Sequence, residues 1–283
     1  MKRLKLSIAG VLLAAAALTA QNAPAFLQVR SVPHGNVQSL PYASKALGTD
    51  RKMVIYTPPG YEASQNRYPV LYLLHGAGSN ETAWTSTGKA NVIFDNLLAD
   101  GKMKPFIAVM PFGYAFQRAA GAGRGDAAEN KQQREGFARD FLGDVIPLAE
   151  TKFRIIADRD HRAIAGFSLG GAQALAIGLT HTELFSRIAG FSPALGAANN
   201  PDTGGVNFDT VFADASEING KTKLLWISVG TEDTLYDSIA DFSTLLSKHK
   251  IQHVFRVTGG AHNFAVWQPN LNEVAPMLFS EAN

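Results

Sequence analysis

The sequence predicts an α/β fold: a mostly parallel central sheet with helices on both faces. Three observations carry this. Short apolar runs alternate along the chain with longer segments of helical periodicity, the pattern of repeated βαβ units. Runs such as Tyr68 to Leu74 are apolar without alternation, as expected of strands covered on both faces. The run from Arg162 to Gly166 passes through Gly-x-Ser-x-Gly directly into the helix-forming residues Ala172 to His181.

The first twenty of the 283 residues are set apart from that pattern. Lys2, Arg3 and Lys5 make a basic start, Leu6 to Leu18 is apolar, and Ala20 supplies a small residue for cleavage. This is the order of a secretory signal peptide, and the apolar run is short for a membrane span. The expectation is export, secreted or periplasmic, with cleavage after Ala20 and one α/β domain over residues 21–283. Removing three of the 26 basic residues leaves one more acid than base, against 24 Asp and Glu. That balance argues against nucleic acid or an anionic membrane as partner. The absence of cysteine excludes disulfides, thiolate zinc sites, a cysteine nucleophile and a lipid anchor on cysteine.

Taken in order, Asn36 to Ala43 and Arg51 to Thr57 read as an antiparallel pair at the sheet edge, with Gly48 in the turn. The strand Tyr68 to Leu74 ends at His75-Gly76-Ala77-Gly78. Asn91 to Asp100 reads as a helix stopped by Gly101, and Phe106 to Met110 as the next buried strand. Pro111 to Glu135 is polar and reads as a long connection, which in a compact domain is usually functional. Gly136 to Thr151 has helical spacing. Ser186 to Phe191, Lys223 to Val229 and Gln252 to Thr258 read as strands; Ser192 to about Asn207 is a second long loop. Ser238 to His249 and residues 270–280 read as helices.

The chemistry gathers around Ser168. A strand that becomes a helix within one residue crowds its backbone, so Gly166 and Gly170 flank the serine where side chains would collide. The turn lifts the Ser168 hydroxyl above the sheet and aims the Leu169 N–H, at a helix N-terminus, at negative charge developing beside it. A serine needs a base, and the base needs an orienting group. In the α/β-hydrolase order both follow the serine, each just after a strand. His262 follows the strand ending in Thr258 and a Gly259-Gly260 turn, and is the expected base. Gly230-Thr231-Glu232-Asp233 follows the strand ending in Val229. Asp233 is the expected acid, with Asp237 and Glu232 as alternatives. His75-Gly76-Ala77-Gly78 supplies the second half of an oxyanion hole, with the Ala77 N–H as donor and His75 as a structural group hydrogen-bonding that loop. No metal-ligand pair and no cofactor motif is present, and Gly76-Ala77-Gly78 lacks the third glycine of a dinucleotide fingerprint.

Several stretches together resemble a known family. Tyr56-Thr57-Pro58-Pro59-Gly60-Tyr61, Leu74-His75-Gly76 with Trp84 downstream, Gly166 to Gly171, Gly230 to Asp233, and His262-Asn263-Phe264 with Trp267 are similar to the esterases of carbohydrate esterase family one. Those include feruloyl and acetyl-xylan esterases and are related to enterochelin esterases. The resemblance covers about residues 34 to 280 and implies an α/β-hydrolase fold. It implies Ser168, Asp233 and His262 as triad, Ala77 and Leu169 as oxyanion donors, and no cofactor. One departure is Val229, where a family pattern has cysteine in the acid-bearing strand.

The expected activity is hydrolysis of feruloyl or acetyl esters of plant cell-wall carbohydrate, through an acyl-enzyme on Ser168. The expected substrate is a small-molecule or polysaccharide-linked ester. Alternatives on the same scaffold are a siderophore trilactone esterase, a mycolyl-type acyltransferase, or an inactive hydrolase fold used as a binding module. Trp84, Tyr114, Phe116, Tyr236 and Trp267 fall in segments expected to reach the Ser168 rim. Trp84, Tyr114 and Tyr236 are the expected substrate-binding residues, and Trp267 is expected to pack in a local core. An aromatic-walled pocket would favour hydroxycinnamoyl over acetyl esters.

Overall fold

The structure, a computed structural model, describes residues 24–117, 125–195 and 206–280. The leader expected over residues 1–20 lies outside them. Eight strands make one sheet: β1 (Asn36–Ser44), β2 (Thr49–Thr57), β3 (Val70–Leu74), β4 (Ile107–Pro111), β5 (Arg162–Phe167), β6 (Arg187–Phe191), β7 (Leu224–Gly230) and β8 (Val254–Thr258). Their order is β1-β2-β4-β3-β5-β6-β7-β8. The edge hairpin β1–β2 is antiparallel and joins β4 antiparallel, while every pair from β4 to β8 is parallel.

Both faces of the parallel strands β3 to β7 are buried, which explains the runs without alternation. Val70, Tyr72 and Leu74 look into one core together with Ile107, Val109, Ile164 and Ile188. Leu71 and Leu73 look the other way, with Ala108, Met110, Ala163, Ala165 and Phe167. The first core is covered by helices α3 (Ala127–Asp140), α4 (Ile146–Lys152), α5 (Leu169–Thr180) and α8 (Tyr236–Lys248). The second is covered by α1 (Ala83–Ser86), α2 (Ala90–Ala99) and α9 (Phe264–Val274). Short helices α6 (Phe208–Val211) and α7 (Ala215–Lys221) precede β7.

Two helices begin earlier than the hydrophobic pattern indicates. The stretch expected to be a connection up to Glu135 contains the first half of α3. That half is polar because it turns most of its surface to solvent and buries Gln133 rather than an apolar side chain. Its start is marked by Asp126, whose carboxylate accepts the Glu129 N–H as an N-cap. The last helix starts at Phe264, not near 270, capped by Asn263 accepting from the Ala265 N–H. Pro269 inside it disguised the first turns as loop. Among the described residues no helix is long and apolar enough to cross a membrane.

Candidate active site

The expected nucleophile elbow lies where β5 meets α5. Ser168 has φ 52° and ψ −119°, a backbone conformation that side chains rarely adopt. It is over-determined by its surroundings. The Ser168 N–H donates to the Phe191 carbonyl at 2.9 Å, and the Ser168 carbonyl accepts from Ala172 and Ala194 at 3.0 and 2.9 Å. A Cβ on Gly166 would fall against the Gly170 carbonyl oxygen; one on Gly170 would lie 2.7 Å from the Leu74 carbonyl carbon and closer still to the His75 oxygen. The two glycines are therefore demanded by backbone-to-backbone approach rather than by flexibility.

Ser168 opens on a cavity of about 530 Å³ that also takes in Ala77, Leu169 and His262. The loops after β7 and β8 bring His262 and Asp233, the expected base and acid, together there. His262 Nδ1 lies 2.8 and 3.0 Å from the two carboxylate oxygens of Asp233, so Nδ1 carries the proton and Nε2 is left to face the cavity. The Asp233 side chain is fully buried and also accepts the Leu235 N–H at 2.9 Å. Glu232 and Asp237 are exposed and do not pair with the imidazole. Ser168 and His262 share the cavity without a direct hydrogen bond; such bonds are commonly long until substrate arrives. The Ala77 and Leu169 N–H groups have no partner among the described residues, and both residues line the cavity.

Behind the turn expected to hold the oxyanion sits His75, 2% exposed. Its Nδ1 donates to the Gly76 carbonyl at 2.9 Å and its Nε2 accepts the Gly113 N–H at 2.8 Å. Burial pulls its pKa down to about 4, so the ring stays neutral and keeps that acceptor. The segment after β4 is bolted down from several sides. Gln173 donates to the Gly113 carbonyl, Arg51 to the Phe112 carbonyl, and Gln133 accepts from Ala115 and donates to Phe116. Arg51 is in turn held by Asp140 at 3.0 Å, whose Oδ2 also accepts the Tyr42 hydroxyl.

Residues 44–278 match the family model "Esterase", described as "Putative esterase". The chain belongs to this esterase family. It is 32% identical over 254 residues, 88% of its length, to the endo-1,4-beta-xylanase/feruloyl esterase of Xylanibacter ruminicola. It spans 32% of that relative, about a third of its length. A ferulic acid esterase of carbohydrate esterase family one from Anaeromyces mucronatus, solved with ferulic acid, superposes with TM-score 0.76 at 24% identity, over 90% of this chain and 97% of that one. The enterobactin esterase of Shigella flexneri superposes with TM-score 0.65 at 17% identity, over 86% of this chain and 58% of that one. The fold is that of the α/β-hydrolases.

Of the five aromatic residues in segments expected to reach the rim, Tyr114 lines the cavity and the other four do not. Trp84 is 1% exposed: it begins helix α1, donates its Nε1–H to the Leu74 carbonyl and packs edge-on against Phe167, Phe191 and Phe264. It is a core residue beneath the oxyanion turn, not a substrate contact. Tyr236 opens α8 and packs on the core beneath the acid loop, where its neighbours Thr234 and Leu235 take the cavity wall instead. Phe116 is half-buried and does not line the cavity. Trp267 is buried, as expected; it stacks on Phe167 at 4.3 Å, meets His262 edge-to-face at 5.0 Å and donates to Ser192 Oγ. The unrecognised start of α3 adds Asn130, Gln133 and Arg134 to the cavity wall. Only the Asp126 cap with Glu129 could have revealed them. Among the described residues no group of His, Cys, Asp and Glu could hold a metal ion.

Proposed function

We propose that this chain is an exported serine carboxylesterase, and that its substrates are hydroxycinnamoyl esters of plant cell-wall carbohydrate. The observation that carries the chemistry is His262, bonded through Nδ1 to both oxygens of the buried Asp233 and sharing a cavity with Ser168. Ser168 Oγ attacks the ester carbonyl carbon while His262 Nε2 takes its proton. The carbonyl oxygen becomes an oxyanion between the Ala77 and Leu169 N–H groups. Collapse breaks the bond to the alcohol, which leaves with the proton from His262. Water then attacks the acyl-enzyme by the same route and releases the acid. Asp233 stays ionised, keeps the tautomer and stabilises the imidazolium.

The feruloyl assignment is supported by the relative from Xylanibacter ruminicola, whose name carries that activity, and by Tyr114 as one aromatic wall. Beside the apolar Ala77, Leu169, Ala194 and Leu235, the cavity wall carries Asn130 and Arg134, which suit an acyl group bearing several hydroxyls. This favours a catecholate trilactone as the second reading. Labelling by a fluorophosphonate, abolished by Ser168→Ala, tests the mechanism. Comparing kcat/KM for methyl ferulate, acetylated xylan and a catecholate trilactone tests the substrate. A clear preference for acetylated xylan would reject the aromatic acyl group, and a preference for the trilactone would move the protein to iron acquisition. Export is tested by the N-terminus of mature protein from its host, which should lie near Gln21.

A further inference from the structure

We propose that Tyr114 is a positioning residue for the oxyanion turn, a role that rests on the esterase reading above. Residues 76–79 form a β-turn closed by the Ser79 N–H on the Gly76 carbonyl, with φ +73° at Gly78 as in a type II turn. Two consecutive amides of this turn are each tied by one side chain from outside it. The amide joining Gly76 to Ala77 is held at its carbonyl by His75 Nδ1–H. Because a trans amide points its C=O and N–H in opposite directions, that bond also aims the Ala77 N–H. The next amide, joining Ala77 to Gly78, is held at its N–H, which donates to the Tyr114 hydroxyl at 2.9 Å.

Without the second bond this amide can rotate, since glycine accepts either sign of φ. Rotation would turn the Ala77 carbonyl, an acceptor, toward the side now occupied by the Gly78 N–H. An acceptor there opposes the negative charge that must develop beside Ala77. The Tyr114 hydroxyl uses a lone pair for Gly78, so its own proton remains a donor on the cavity side. Tyr114 is itself fixed: its ring packs 5.8 Å from His75 and 5.5 Å from Phe112, and Gly113 beside it is held by His75 and Gln173. Both ties are therefore braced by the segment after β4: Tyr114 lies in it, and His75 accepts its Gly113 N–H.

The test is Tyr114→Phe, which keeps the ring and removes the tie. With p-nitrophenyl acetate and methyl ferulate, kcat should fall about 10-fold or more for both esters, because misplacing one catalytic group costs up to about 100-fold. KM should move less than about two-fold, and the thermal midpoint should hold. The second-order rate of fluorophosphonate labelling should fall in parallel, since that reaction uses the same turn without an acyl pocket. Unchanged kcat with both esters would overturn the role. So would a loss confined to methyl ferulate, which would make Tyr114 a wall of the acyl site only. A wild-type chain that takes up no fluorophosphonate would instead overturn the esterase reading itself, and this role with it.

Discussion

Acidification should expose how the oxyanion turn is held. His75 is enclosed between Gly76, Gly113 and the rings of Phe112 and Tyr114, with Arg51 nearby. Desolvation in that enclosure, helped by the Arg51 charge, keeps the ring neutral down to a pH of about 4, against 6.5 for a free side chain. Between those two values the unfolded chain binds a proton at His75 that the folded chain refuses. Stability must therefore fall as pH falls through this window, and be independent of His75 above it. At 1.36 kcal/mol per pH unit the gap amounts to about 3 kcal/mol, fully lost once the pH reaches about 4. The comparison is His75→Gln, an amide that donates and accepts but binds no proton. Urea unfolding of both proteins from about neutral pH to about 4 isolates the one residue, because every other titrating group is common to the pair. The wild-type advantage over His75→Gln should shrink by about 3 kcal/mol across the window. Parallel stability curves would refute the argument and mean that His75 is solvated or already charged in the folded state.

Three further outcomes are expected. Ser168→Ala and His262→Ala should each lower kcat by several orders of magnitude, with the double variant no worse, and Asp233→Asn by about 10⁴, all read as steady-state hydrolysis of an activated ester. Asp237→Asn, by contrast, should leave kcat near wild type. Gly170→Ala should cost more than about 3 kcal/mol in chemical denaturation, because its Cβ meets backbone on the neighbouring β3 exit and backbone cannot be repacked. Asp140→Ala should cost about 3–5 kcal/mol, because the buried Arg51 guanidinium is left without its counter-charge and Tyr42 without its acceptor; replacing Arg51 and Asp140 together by apolar residues should cost less.

Much of this molecule was legible because its central strands are buried on both faces and its candidate catalytic groups sit in turns with few chemical solutions. Gly166 and Gly170 announce an elbow because nothing else fits there, and a strand exit followed by Gly259-Gly260 places His262 without knowledge of the fold. The walls of the cavity were not legible. Trp84 looks like a loop residue by its polar neighbours, yet its indole N–H finds the Leu74 carbonyl and its ring finds Phe167, contacts that only the tertiary structure creates. The start of α3 failed for the opposite reason. A helix that contributes Asn130, Gln133 and Arg134 to a cavity carries no apolar stripe, so its periodicity is invisible exactly where it matters for the site.

The strand order has a further consequence for how this protein would wear out. Ser168 hangs from β5 in the middle of the sheet, where each neighbouring strand is fully buried. His262 hangs from β8, the last strand, whose residues are half-exposed and which has a partner on one side only. Edge segments open at a lower free energy than central ones. Under mild heat the base should drift from its acid while the strained serine turn is still standing. Such a molecule would be silent toward esters and still native by most spectroscopic measures, and cooling would restore it. Loss of turnover and loss of structure would then be two events with separate midpoints, the first reversible and set by a single outer strand.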